Sequence, residues 1–317
     1  MEFANLAEFY CRFARDGLVR SAVILSFGFL ALLSLSLHAQ PIDLGFGMQE
    51  TRTVEVNGTT LTYLDSGPGS GAPIVLVHGA LADFRYWQTI YADLTRSHRV
   101  IAYSRRGFFP NPVAQTATAD PFADRDDLAA LLETLELGPV HLVGHSRGGH
   151  VALSLASVRP DLLQTVATLE GGFLEAGVSD RALQALASFG PVAEEARALY
   201  LDGDPRAAAD RFLAYAVGAE AYAGASDSAR QIAYDNAHTF GRRPNAGLAC
   251  ADVSSIKIPV LLLLGTQTPP ESVAMMEGLK SCMPSIRTVD IPRAAHDIHY
   301  ANPSAVVSAL NEFVADP

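Results

Sequence analysis

The stretch His141–Leu153, "HLVGHSRGGHVAL", changes character at its centre. An apolar run from His141 to Val143 stops at Gly144-His145-Ser146-Arg147-Gly148-Gly149, and an apolar stretch follows from Val151 to Val158. The pattern predicts a strand, a tight turn and a helix. Gly-x-Ser-x-Gly in that context puts the serine in a strained backbone conformation, where side chains two positions away would collide and glycine removes the clash. Such a turn lifts the hydroxyl clear of the sheet and aims it at the helix N-terminus, so Ser146 is the candidate nucleophile.

Strands and helices alternate on both sides of this turn. "PIVLVHG", "RVIAYS", "PVHLVGHS", "QTVATLEGG", "IPVLLLLG" and "IRTVDIP" are short apolar runs of the kind buried in a parallel sheet. "TRTVEVNG" and "TTLTYLDS" meet at Asn57-Gly58, a hairpin signal. A helix is expected from Asp120 as N-cap and Pro121 in the first turn, with Leu128, Leu131, Leu132 and Leu135 as its buried stripe. Asp124, Asp126 and Asp127 would sit at its positive end. From Gly171 to Ser255 the texture turns alanine-rich and helical. The expected architecture is α/β: a mostly parallel central sheet flanked by helices, with core segments 50–170 and 256–317 and a helical lid over 171–255. "GPGSGAP" leads into a strand rather than a helix, which makes it a turn and not a dinucleotide-binding loop.

A serine hydroxyl needs a base. In this chain order the base lies near the C-terminus, where "PRAAHDIHYANP" offers His296, with His299 as rival. A His-x-x-His metal pair would lack partnering ligands, so no metal and no cofactor is expected. His78, His141 and His145 sit in or beside strands and read as structural. Two oxyanion donors are also required, and position assigns them to the backbone N–H groups of Ala80 and Arg147. In the lid, Tyr200, Tyr215, Tyr222 and Tyr234 read mainly as internal packing, and His238 of "DNAHTF" is the candidate polar substrate contact.

With "VLVHGALADFRYW", "IAYSRRG", "LVGHSRGG", "LLLLG" and "AAHDIHYANP" in this order, the chain resembles an α/β-hydrolase of the capped, esterase-like kind over nearly all of its length after the leader. The resemblance implies hydrolysis of a small-molecule carboxylic ester or lactone through an acyl-enzyme. Other carbonyl chemistry on the same fold (C–C hydrolysis or cofactor-free oxygenation) and a receptor-like protein of low turnover are the alternatives. Ser146 stands where relatives with epoxide hydrolase or haloalkane dehalogenase activity carry aspartate. The chain departs from the family at Ser104, where many members have Asp. It departs again at Thr268, where most have the triad acid after "LLLLG". The strand before the lid ends in Glu170, and a subset of the family, including haloalkane dehalogenases and zearalenone lactonases, is similar in placing its acid there. Glu170 is therefore the expected acid and Glu271 its rival. The "TPPES" run resembles the lactonase loop and tilts the reading towards lactones.

The chain has 317 residues, 49% hydrophobic, enough for one large domain with an insertion or for two domains. Its net charge of −11 and lack of any basic cluster argue against nucleic acid as a partner. Residues 1–39 read as a leader: Arg12, Arg15 and Arg20 precede an uncharged apolar run, Ala22 to Leu37, and Ala39 precedes a possible cleavage point. Export to a periplasmic or secreted location is expected. The alternatives are an uncleaved membrane anchor over residues 18–38, the one membrane contact foreseen, or a true start at Met48. Beyond the leader Cys250 and Cys282 remain, either paired in an oxidising compartment or as buried thiols.

Overall fold

The hairpin signal at Asn57-Gly58 is realised in the computed structural model, which describes residues 42–43, 48–113, 120–242 and 246–317. The expected leader, residues 1–39, lies outside the described residues. Strands β1 (Arg52–Val56) and β2 (Thr59–Asp65) pair antiparallel around Asn57 and Gly58, whose φ angles are 45° and 70°. Two successive left-handed residues are what a two-residue hairpin turn requires.

The apolar runs form β3 (Ile74–Val77), β4 (Val100–Tyr103), β5 (Val140–His145), β6 (Leu163–Leu169), β7 (Val260–Gly265) and β8 (Arg287–Ile291). With the hairpin they make an eight-stranded sheet in the order β8-β7-β6-β5-β3-β4-β2-β1. β3 to β8 run parallel; β2 pairs antiparallel with β4. Strand alternation divides the core into two layers. Val75 and Val77 face a layer with Leu128, Leu132, Val151 and Leu155. Ile74 and Leu76 face the other, with Trp87, Ile90, Leu310 and Phe313. Each fully buried side chain of this size contributes about 1.5–3 kcal/mol relative to exposure.

α1 (Gln88–Leu94) covers one face; α2 (Ala123–Thr134) and α3 (Arg147–Val158) cover the other. α2 starts later than its sequence suggests. Asp120 accepts the Phe122 N–H at 2.9 Å in a turn ahead of the helix, and the first helical residue is Ala123. Asp124 and Asp126 fall in the first turn of α2 as expected, Asp127 lies just beyond it, and Asp124 and Asp127 are also buried against Arg105 and Arg106, at 2.6 and 2.5 Å.

The lid contains α4 (Asp180–Ala187), α5 (Phe189–Leu201), α6 (Pro205–Ala216), α7 (Ala219–Ala223), α8 (Asp227–Asp235) and a 3-10 turn, Ala237–Gly241. A short parallel pair, Leu174–Ala176 with Leu248–Ala249, joins its entry to its exit. α9 (Cys250–Ser254) falls inside the expected lid range but packs on α3 and on α10 (Pro270–Cys282), with Val253 in the sheet's core. α11 (Ile298–Ala301) and α12 (Pro303–Ala315) complete the face opposite α3. Cys250 and Cys282 form a disulfide, which binds α9 to the end of α10.

Candidate active site

The parallel strands end on one edge of the sheet, and the candidate residues collect there. Ser146 follows β5 with φ 50° and ψ −118° and starts α3. This turn tolerates no extra atom on either flank. A Cβ on Gly144 would lie 2.4 Å from the Gly148 carbonyl oxygen, and one on Gly148 would lie 2.0 Å from that of Val77. Both glycines are thus required for the serine to stand where it does.

Glu170 follows β6, between β5 and β7, with φ 51°. Its Oε1 accepts the Gly265 N–H at 2.6 Å and the Thr268 hydroxyl at 2.5 Å. Its Oε2 lies 3.7 Å from His296 Nδ1. Both of these atoms are buried and neither has a hydrogen-bond partner among the described residues. They face each other a few tenths of an ångström beyond hydrogen-bond length, as catalytic pairs often do before substrate tightens them. Gly265 lets the histidine loop close over β7, since a Cβ there would meet the Ala294 carbonyl oxygen at 2.3 Å. Burial alone would lower the His296 pKa, but the Glu170 carboxylate outweighs it and the net shift is upward.

The rivals sit elsewhere. Glu271 is exposed on the first turn of α10. His299 is fully buried among Tyr86, Trp87 and Tyr300, off the cavity wall, and burial pushes its pKa down to about 3. Thr268, at the position after β7 where the family resemblance would put an acid, instead donates its hydroxyl to Glu170.

Ala80 and Arg147 both line the cavity in front of Ser146, and neither backbone N–H donates to a loop or turn carbonyl among the described residues. The orientation at Ala80 has a cause. The Gly79 carbonyl oxygen is held by Arg105 Nη2 at 2.7 Å and by His78 Nδ1 at 2.9 Å. His78 Nε2 accepts the Arg105 N–H at 2.9 Å, so Nδ1 carries the proton. In a trans peptide C=O and N–H point opposite ways, which turns the Ala80 N–H away from Arg105. His141 Nδ1 lies 2.9 Å from the Thr165 hydroxyl, and His145 Nε2 donates to the His296 carbonyl at 3.0 Å. Burial, then His296 and His299, hold the His145 pKa well below the ordinary imidazole value. Ser104 donates to the Phe109 carbonyl at 2.7 Å, a loop bond of the kind its departure from Asp suggests.

Ser146 and His296 open on one cavity of about 660 Å³. Its lid side is mostly apolar, Phe189, Phe212, Leu213, Val217 and Ile232 with several alanines, beside the polar Tyr222 and Ser226. His238, expected as a substrate contact, is not on the wall. Its Nε2 lies 2.6 Å from the Gly107 carbonyl, across the seam between lid and core, and its Nδ1 lies 3.1 Å from the Asp235 carbonyl in its own turn of the lid. The same seam holds Asp83, Arg85, Asp235 and Asn236. Tyr215 and Tyr234 bond inside the lid to Ser188 and Asp210, as packing residues do. Tyr222, also on Asp210, reaches the wall. Several polar wall residues carry no motif of their own in the sequence: His145, Ser226, Tyr300, and the pair Tyr86 and Asp297, whose hydroxyl and carboxylate bond to each other.

The alpha/beta hydrolase family model matches residues 74–310. The chain belongs to the alpha/beta hydrolase family. It is 27% identical over 274 residues to the 2-(acetamidomethylene)succinate hydrolase of Mesorhizobium japonicum, covering 83% of this chain and 95% of that protein. Several curated relatives share less of their own length: the match to the dihydrolipoyllysine-residue acetyltransferase component of the acetoin cleaving system of Pseudomonas putida covers 35% of that protein. Among solved structures, the esterase RhEst1 from Rhodococcus sp. ECU1013 superposes with a TM-score of 0.67 at 23% identity, over 84% of this chain and 98% of that one. The enol-lactonase from Burkholderia xenovorans LB400 does so with a TM-score of 0.63 at 22% identity, over 84% and 100%. Both likenesses are likenesses of fold.

Proposed function

We propose that this α/β hydrolase cleaves a carboxylic ester or lactone with an apolar body, through an acyl-enzyme on Ser146. One observation carries the reading: Glu170 Oε2 and His296 Nδ1 face each other, buried and otherwise unpartnered, behind a serine on a nucleophile elbow. His296 takes the Ser146 proton as Oγ attacks the carbonyl carbon, and Glu170 stabilises the imidazolium that results. The oxyanion develops against the amides of Ala80 and Arg147. Collapse expels the alcohol oxygen, which receives the proton from His296. Water then repeats the sequence, releasing the acid and restoring Ser146. The mostly apolar lid side of the cavity fits an apolar substrate body. The relative that acts on a succinate derivative and the fold neighbours named as esterase and enol-lactonase are consistent with hydrolysis at a carbonyl.

The test is a panel of aryl esters and lactones of graded size, with intact-mass analysis after treatment with a fluorophosphonate. Turnover of several members and one adduct per chain, on Ser146 and absent from Ser146→Ala, is expected. No turnover, or an adduct that persists at full stoichiometry in Ser146→Ala, overturns the reading.

A further inference from the structure

The mechanism uses one carboxylate, but the cavity contains another. Asp297 follows His296 directly and is the one acidic residue on the cavity wall among the described residues. Its Oδ1 accepts the Tyr86 hydroxyl and lies 3.8 Å from His145 Nε2, whose own bond goes to the His296 carbonyl. Its Oδ2 has no protein donor among the described residues and is not a buried atom. The Asp297 side chain is 35% exposed, and what it is exposed to is the cavity.

A carboxylate oxygen on a largely apolar wall is costly unless a donor meets it. A ligand group that donates there keeps the bond when it displaces solvent, whereas a methylene at the same place forfeits it. The chemistry of the donor can be narrowed. A substrate carboxylate would meet like charge. An ammonium would bring three donors to a wall with a single free carboxylate oxygen. A hydroxyl needs one acceptor and suits the apolar surroundings. Asp297 Oδ1 lies 3.8 Å from the ring of His145, the residue before Ser146, and both line the cavity with Ser146 and His296, so a group that meets Asp297 sits on the nucleophile's side of the cavity.

We propose that Asp297 is a specificity-determining residue, and that the substrate is an ester or lactone with a hydroxyl near its scissile carbonyl that donates to Asp297 Oδ2. The proposal rests on the hydrolase reading above. The Tyr86 hydroxyl holds the carboxylate through Oδ1, and the lid receives the apolar remainder.

The experiment uses the purified protein and two pairs of near-isosteric esters. One pair varies the acyl side, p-nitrophenyl 3-hydroxybutyrate against p-nitrophenyl 3-methylbutyrate. The other varies the alcohol side, 2-hydroxyethyl butyrate against propyl butyrate. The expected result is a preference in kcat/KM of about tenfold or more for the hydroxylated member of at least one pair, the scale of a hydrogen bond to a charged group. That ratio should fall to about one in Asp297→Ala. In the isosteric Asp297→Asn, which folds with the least disturbance, it should fall severalfold, because an amide oxygen carries no charge. Ratios within one variant are unaffected by a general loss of activity. Turnover without a preference in either pair overturns the proposal and leaves the hydrolase reading standing, as does a preference that survives in both variants. No turnover of any ester together with no fluorophosphonate adduct at Ser146 removes both.

Discussion

Ser146 and Glu170 share a left-handed backbone, φ 50° and 51°, which costs a residue with a side chain about 1–3 kcal/mol. Each ends a strand and turns its side chain over the sheet edge, so the strain serves placement. Because the Glu170 carboxylate raises the His296 pKa above the ordinary 6.5, the imidazole becomes neutral, and able to act as base, only at a higher pH than usual. The acid limb of kcat/KM should therefore have its midpoint above 6.5. Without the carboxylate the imidazolium is less favoured, so Glu170→Gln should move that midpoint down. Thr268→Val removes one of two donors to Oε1 while keeping the shape. A hydrogen bond to a charged group is worth about 1.5–3 kcal/mol, so kcat should drop roughly tenfold or more, and Thr268→Ser should restore most of it. Motif and chain order named Ser146 and His296 as candidates, and the resemblance to a family subset named Glu170; the structure brings His296 beside Glu170 and puts it on one cavity with Ser146. The role of Thr268 was legible only as a missing acid, because its hydroxyl meets Glu170 across two strand ends far apart in sequence. His238 failed for the same reason: its carbonyl partner at Gly107 is 131 residues away.

At the scale of elements, the loop after β3 and the start of α2 are fastened together by Arg105, which holds the Gly79 carbonyl with one nitrogen and Asp124 with another. Arg105 and Asp124 side chains are 3% and 2% exposed, and breaking a buried pair from one side costs about 3–5 kcal/mol. Arg105→Ala should lower the melting temperature and, by freeing the Gly79–Ala80 peptide, reduce kcat more than it changes KM. Kinetics and a thermal melt on one preparation check both. His238→Ala should weaken the lid's seam and leave the order of preferred substrates unchanged; a reordered ester panel would show that it reaches substrate after all. The strands were legible because buried parallel strands are apolar throughout. The start of α2 was placed too early because Asp120 looks like a cap; Asp124 does sit at the helix end, but nothing in the sequence shows that it and Asp127 also pair with arginines. Their partners, Arg105 and Arg106, come from a loop that only the sheet brings near.

For the molecule as a whole, the disulfide bears on where the protein works. Cys250 and Cys282 are 32 residues apart, and closing a loop of that size stabilises a fold by about 3–4 kcal/mol in the chain-entropy model. Reduction should therefore lower the melting temperature by several degrees, with the Cys250→Ala, Cys282→Ala double variant matching the reduced protein. Disulfides persist in oxidising compartments. Together with the Arg-then-apolar leader, this leads us to propose an exported protein whose mature N-terminus lies near Gln40. N-terminal sequencing of the exported form should find it there, and intact Met1 in the membrane fraction would indicate an anchor.

In the proposed mechanism the acid is Glu170, at the end of β6 rather than after β7. Ester turnover by Glu170→Gln, beside Glu271→Gln as control, tests that assignment most directly. Loss of the carboxylate that orients a catalytic histidine typically lowers kcat by ~10⁴. A fall of that order in Glu170→Gln, with near-normal kcat in Glu271→Gln and both proteins folded, is the predicted result. A Glu170→Gln enzyme that turns over close to the wild-type rate would contradict the account.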